Sequence, residues 1–200
     1  MEFFSPHLHM RRLPSHITLF LAILLLGFGS SAFAENDQNV QFKDITITTS
    51  KTHLLLFGML SNTKHKELEQ ALHSGIPMQF TFFIELFKTR KNWPDEELIE
   101  MEFKHTLRYD TLKENYQLER EEQKNRKTTY KSFAQANQMM NDINGLKVIQ
   151  LTDLTPDSSY ELRIKAELFK KTLPMNLHTV IPFISMWNLE TDWFTIEFTY

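Results

Sequence analysis

The stretch Met78–Asp110, MQFTFFIELFKTRKNWPDEELIEMEFKHTLRYD, reads as two long strands joined by a charged turn. Before the turn the even positions Met78, Phe80, Phe82, Ile84 and Leu86 are apolar. Beyond it the odd positions Ile99, Met101, Phe103, Leu107 and Tyr109 are apolar, with Glu100, Glu102, Lys104, Arg108 and Asp110 opposite. Successive side chains of a strand point to opposite faces, so this alternation describes a half-buried antiparallel pair. Asn92-Trp93-Pro94-Asp95 breaks the pattern, because proline fixes φ and has no N–H for a ladder.

On the N-terminal side, Asp44–Leu60 alternates at Ile45, Ile47 and Thr49 and then turns apolar through Leu54–Phe57, Met59 and Leu60. It reads as two short strands or one long bent one, with Gly58 at a bulge or a close backbone approach. Asn62 or Thr63 caps a short helix over 64–74, which Gly75 ends. Beyond Asp110, a turn at 111–114 leads to a strand over Asn115–Arg120, in which Tyr116 and Leu118 alternate with polar residues. Glu121–Lys127 (EEQKNRK) reads as a solvated connection, followed by a short strand at Thr128–Lys131. Ser132 is placed to cap a second helix, Phe133–Ile143, whose apolar positions recur at three to four before Gly145. Lys147–Leu151 reads as a strand.

Leu154-x-Pro156 followed by Tyr160, which opens the alternating strand Tyr160–Leu168, suggests the corner of an immunoglobulin-like sandwich. There a tyrosine hydroxyl bonds back to upstream backbone; the alternative is an ordinary Pro-Asp turn. Leu173-Pro174 and Ile181-Pro182 break regular structure in 170–188, an apolar segment suited to cover an edge or an open end. Trp193–Tyr200 forms a last strand expected to end in the core. The fold expected is mainly β, an antiparallel immunoglobulin-like sandwich with two short inserted helices.

The chain has 200 residues, 42% of them apolar, which suits one ordinary domain. Arg11 and Arg12 precede the apolar run Ile17–Phe28, and Ala32-Phe33-Ala34 precedes Glu35. This is the pattern of a cleaved secretory signal peptide over 1–34, cut between Ala34 and Glu35. This twelve-residue run falls short of the ~20 that span a bilayer. Met10 serves equally well as a start. Residues 35–42 are expected to be flexible and 43–200 to form one domain, with no later transmembrane segment. Without the leader, 20 basic and 24 acidic side chains leave a net charge of −4, which argues against nucleic-acid binding. The absence of cysteine removes disulfides, thiol nucleophiles and a lipid-modified N-terminus. Export without cysteine points to a Gram-negative periplasm.

His105 stands on an apolar strand face between Phe103 and Leu107. A catalytic role needs a nucleophile and an orienting carboxylate, neither of which the sequence displays, so a buried, hydrogen-bonded histidine is expected. His65 and His73 are eight apart, outside the i, i+4 spacing of a shared metal, and no metal or cofactor is expected. Asp95, Glu96, Glu97, Glu100 and Glu102 read as a solvated strand face, and no catalytic residue is assigned. Trp93 at the tip either tucks onto its own domain or offers a contact to a partner. The candidate contact set is Trp93, Pro94 and Asp95 with Arg108 and Asp110, the last two pairing with each other or with the turn. Leu154, Pro156, Tyr160, His105 and Trp193 are assigned to structure.

Gly75-Ile76-Pro77, Trp93-Pro94-Asp95-Glu96, Leu107-Arg108-Tyr109-Asp110, Phe133, Leu154-x-Pro156, Tyr160, Leu173-Pro174, Trp187-x-Leu189 and Asp192-Trp193 occur in this order over about 42–200. In this set the chain resembles the exported bacterial family called domain of unknown function 4390. The family has no assigned activity, and its members are often encoded beside a membrane sensor kinase of the nitrogen-regulation type. The resemblance implies a periplasmic accessory role with an envelope or membrane protein as partner. The alternatives are an envelope hydrolase acting on glycans or peptides through His105 or the 95–102 carboxylates, and a sandwich that binds a small apolar ligand through 170–188.

Overall fold

The computed structural model describes residues 39–63, 66–169 and 189–200. The Ala34–Glu35 junction, Lys64, His65 and the 170–188 segment, with Leu173-Pro174, Ile181-Pro182 and Trp187, lie outside the described residues. Nine strands form two antiparallel sheets among the described residues. The smaller sheet has the order β1 (Gln41–Thr49), β2 (His53–Ser61), β7 (Asp142–Gln150). The larger has the order β6 (Arg126–Tyr130), β5 (Asn115–Arg120), β4 (Glu96–Asp110), β3 (Met78–Lys88), β8 (Ser159–Phe169), β9 (Phe194–Thr199). Two helices, α1 (Lys66–His73) and α2 (Phe133–Met140), are inserted between strands.

The hairpin read from the sequence is the centre of the larger sheet. β3 pairs with β4 from Met78↔Leu107 to Lys88↔Glu96, with one bulge beside Leu98, and on its other side with β8. The even residues Met78 to Leu86 are all buried. Phe82 stacks on Phe103 at 4.9 Å between ring centres and packs against His105 at 4.8 Å. Each such apolar side chain contributes about 1.5–3 kcal/mol by leaving water. Leu54, Leu56, Leu60, Ile143 and Val148 of the smaller sheet belong to the same buried cluster.

The smaller sheet is the irregular one. The Asp44–Leu60 run is two strands, and its core begins earlier than position 43, since Val40 and Phe42 are buried. The part of the expected flexible segment at 40–42 is therefore held by packing. Gly58 answers a close approach: a Cβ there would stand 2.3 Å from Ile45 Cδ1. In β7, Leu146 pairs with Leu56 and Asn144 with Phe57, so Gly145 is an extra residue, at φ +72°. Glycine takes that left-handed conformation at little cost and makes the bulge.

α1 buries Leu68, Ala71 and Leu72. It ends in a Schellman arrangement in which Ile76 N–H donates to Ala71 O and Gly75 N–H to Leu72 O, with Gly75 at φ +82°. Ser132 Oγ caps α2 by accepting from Gln135 N. The second helix is shorter than its periodicity suggests. Ile143 and Gly145 lie in β7, because pairing Ile143 with Gly58 of β2 outweighs a continued turn of helix. The last strand also differs: β9 is an edge strand, with Phe194 41% and Trp193 43% exposed. Among the described residues it pairs only with β8, and Phe198 gains its contact by stacking on Tyr160.

Candidate functional site

β3 and β4 run past the core and close at residues 89–95. The neck is fixed by the ion pair of Arg90 with Glu96, and Asp95 Oδ1 accepts from Arg90 N at 2.9 Å. Trp93 stands out from this turn at 76% exposure, so of the two placements open to it the outward one is taken. Pro94 and Asp95 beside it are exposed too. At the same end of the sheet Tyr160 bonds back to its own upstream backbone. Tyr160 Oη accepts from Thr155 N at 2.7 Å and donates to Thr155 O at 3.2 Å. Lys88 Nζ then donates to Thr155 Oγ1 at 2.9 Å, and Thr89 N to Ser159 O. Tyr160 and Leu154 are buried, whereas Pro156 is exposed in the turn beside them. Trp193 is not a core residue and lies exposed beside Phe83, Glu85 and Glu100 on the outer sheet face.

Arg108 and Asp110 do not join the tip. They lie at the far end of β4, thirteen or more residues along a strand that rises about 3.3 Å per residue, hence roughly 40 Å away. Nor do they pair with each other. Arg108 reaches Glu119 of β5 at 3.5 Å. Asp110 Oδ1 accepts from Leu112 N and Lys113 N at 3.1 Å each, and Oδ2 from Gln117 Nε2 at 2.9 Å. Asp110 is spent on closing the next turn.

His105 is wholly buried, and both ring nitrogens are engaged: Nδ1 with Met140 O at 2.6 Å, Nε2 with Glu122 Oε2 at 3.1 Å. The connection 121–127 is therefore not merely solvated. It opens with a 3-10 turn, Glu121–Gln123, that turns Glu122 inward until its side chain is 10% exposed. The carboxylate that orients His105 was legible only as a continued alternation, Tyr116, Leu118, Arg120, Glu122, running past the end of β5. Beside it a cleft of about 520 Å³ opens between Phe103, Glu122, Lys124, Leu146 and Lys147. In this arrangement the ring does not reach a molecule in that cleft, and general acid–base work needs such reach.

A third polar cluster joins α1 to the larger sheet. Tyr116 Oη donates to Glu69 Oε1 at 3.1 Å and therefore accepts from His73 Nε2 at 2.8 Å. His73 also stacks on Tyr109 at 4.1 Å. Burial first, and then the hydrogen bond to Glu69, push the Tyr116 hydroxyl up to about 12. Among the described residues no group of three His, Asp or Glu side chains could hold a metal ion, and no helix is long and apolar enough to cross a membrane.

No curated protein and no solved structure matches the chain. A family model described as Domain of unknown function (DUF4390) matches residues 37–197, which takes in both sheets, the braced hairpin tip and the buried His105–Glu122 pair, and the chain belongs to that family.

Proposed function

We propose that the chain is an exported, periplasmic binding or accessory module of the cell envelope, which engages the outer part of a membrane protein through Trp93-Pro94-Asp95. A sensor kinase is the kind of membrane protein the family's gene neighbourhoods favour. The observation that carries the reading is a tryptophan 76% exposed at a tip held by Asp95 and by the Arg90–Glu96 pair. A large aromatic on a pre-ordered turn loses little freedom on binding and supplies the contact area typical of hot spots.

The scaffold proposed is an immunoglobulin-like sandwich. Support comes from the strand orders β1-β2-β7 and β9-β8-β3-β4-β5-β6, in which β3 pairs with β8 and β2 with β7. It comes also from the Tyr160 hydroxyl bonding back to Thr155 at the start of β8.

The test is a photo-crosslinking side chain at position 93 in the native host, compared with one at Leu112, an apolar residue 94% exposed in the turn before β5. The expected result is an adduct with one membrane protein from position 93 only, in cells whose osmotic-shock fraction contains the chain beginning at Glu35. Equal adducts from both positions, or none from 93, overturn the reading.

A further inference from the structure

Glu122 meets His105 with one oxygen only. Its Oε2 faces His105 Nε2 at 3.1 Å, whereas Oε1 makes no hydrogen bond or ion pair among the described residues. Arg120, buried two residues earlier on the same face, forms no ion pair among the described residues either. Oε1 is not one of the unpartnered atoms sealed from solvent, so it keeps an accessible face on a side chain otherwise 10% exposed. Glu122 lines the cleft of about 520 Å³ between the 3-10 turn, β4 and β7. An oxygen that meets water also meets an ammonium head, which is of similar size.

With Oε2 engaged by the ring, Oε1 is left as an acceptor. Charge-assisted hydrogen bonds are about twice as strong as neutral ones, and surroundings of low dielectric strengthen them further. A nearly buried carboxylate oxygen therefore favours a cationic donor. The number of free oxygens selects its shape. A guanidinium binds best through two parallel bonds and needs both oxygens, whereas an ammonium is a point charge and needs one. Met101, Phe103 and Leu146 stand in the same lining and offer apolar surface along which an alkyl stem can lie. The other two carboxylates of the lining, Glu102 and Glu121, are exposed. Lys104 holds Glu102 at 2.9 Å and also feels the charge of Glu121. Glu122 is thus the carboxylate both shielded from water and without a lysine or arginine. Lys124 and Lys147, exposed in the same lining, repel a second cation and favour a carboxylate at the far end of the stem.

We propose that this cleft binds a primary ammonium group on a short alkyl stem, which donates to Glu122 Oε1 and is carried by a free amine or by a small amino acid. The site is separate from the hairpin tip, so its failure leaves the Trp93 reading untouched and the reverse also holds.

The test follows the ring nitrogens of His105 by 15N NMR in the full chain. A cation on Oε1 changes the charge that faces Nε2, and a cation bound elsewhere does not. The probe is n-butylamine, with 1-butanol as a neutral donor on the same stem and n-butylguanidine as a cation that seeks two oxygens. A saturable Nε2 shift with n-butylamine is expected, absent with 1-butanol and reached with n-butylguanidine only at higher concentration. Saturation by 5-aminopentanoate below n-butylamine names amino acids as the source, and the reverse order names free amines. Glu122→Gln keeps the shape of the side chain and a partner for Nε2, and should bind n-butylamine about tenfold or more weakly. The comparisons in the parent protein decide the matter even where that variant does not fold. No saturable Nε2 shift, equal shifts with 1-butanol, equally tight n-butylguanidine, or undiminished binding in folded Glu122→Gln overturns the proposal.

Discussion

His105 and Glu122 meet as a buried pair inside the larger sheet. A carbonyl oxygen only accepts, so the contact of His105 Nδ1 with Met140 O at 2.6 Å places a hydrogen on Nδ1. Nε2 then faces Glu122 Oε2 at 3.1 Å, and a hydrogen bond forms there only with a proton between the two atoms. With the ring wholly buried and the carboxylate nearly so, the pair ties β4, the turn after β5 and the end of α2 into one unit.

Removing either member strands the other. Glu122→Leu leaves Nε2 without a partner, and His105→Phe leaves Glu122 and Met140 O without theirs, each costing about 1–3 kcal/mol. The double variant removes the stranded groups together, so its loss should fall short of the sum by about 1 kcal/mol or more. Urea unfolding of the four proteins measures this coupling. Additivity within about 0.5 kcal/mol would show that the pair does not act as one.

At the other end of the sheet the prediction concerns a single oxygen. Tyr160→Phe keeps the ring against Phe198 but leaves Thr155 N without its acceptor. The expected loss is about 1–2 kcal/mol, seen as a lower urea midpoint at an unchanged slope. Tyr160→Ala also empties a site 1% exposed and should cost about 3–5 kcal/mol. A phenylalanine variant as stable as the parent would deny the corner a structural role.

What could be read from the sequence was whatever local periodicity controls. The alternation of Met78–Asp110 gave strands, faces and the buried state of His105, because one rule governs all three. Ile143 shows where that rule ends: it continued the helical spacing of Phe133, Ala136 and Met140, and only pairing with Gly58, 85 residues earlier, placed it in β7. Glu122, legible only as an alternation continued past β5, and the hydrogen bonds of Thr63 with Asn137 and Asn141 lie beyond that rule for a related reason. Their partners lie 17, 74 and 78 positions away, and glutamate and asparagine occur just as often on solvated turns. Arg108 and Asp110 lie two apart on one face of the strand that follows the Trp93 turn, yet length along a strand separates as firmly as a shared face unites.

Two glycines of the smaller sheet should respond differently to alanine. At Gly58 the backbone is ordinary, and the added methyl meets Ile45 Cδ1. Ile45 is half-buried and can turn its chain end, so Gly58→Ala should cost about 1–3 kcal/mol, recovered in part by Ile45→Val. At Gly145 a Cβ finds only ordinary contact, 3.6 Å from Phe57. There the cost is the left-handed conformation, about 1–2 kcal/mol, and no change at Phe57 recovers it. Thermal unfolding of the two pairs separates steric from conformational strain. Rescue of Gly145→Ala by Phe57→Leu would contradict the assignment.

Tyr116 gives the fold a dependence on alkaline pH. Its hydroxyl is pushed up to about 12, against about 10 for an unfolded tyrosine. A raised value means that the folded state holds the proton more tightly. The stability it contributes is present in full below pH ~10 and is lost as pH rises toward ~12. Absorbance of phenolate near 295 nm should show one of the five tyrosines ionising last. Glu69→Gln removes the carboxylate that the hydroxyl faces and should bring that final step to lower pH. An unchanged final step in Glu69→Gln would assign the effect to burial alone.

Trp93 separates contact from stability. At 76% exposure it has little surface to lose, so Trp93→Ala should leave the urea midpoint within about 0.5 kcal/mol of the parent. Asp95→Ala should likewise cost little overall, while it frees Arg90 N from its acceptor and lets the tip sample more conformations. A tip that binds should therefore lose its partner in two ways. Trp93→Ala removes the contact area, and Asp95→Ala keeps that area but adds the cost of ordering the turn. Yield of the partner adduct, read from a crosslinker at the neighbouring position Asn92, should fall strongly in the first variant and partly in the second. Loss of fold in Trp93→Ala would mean that the indole supports the hairpin it stands on, and the contact role would go to another residue.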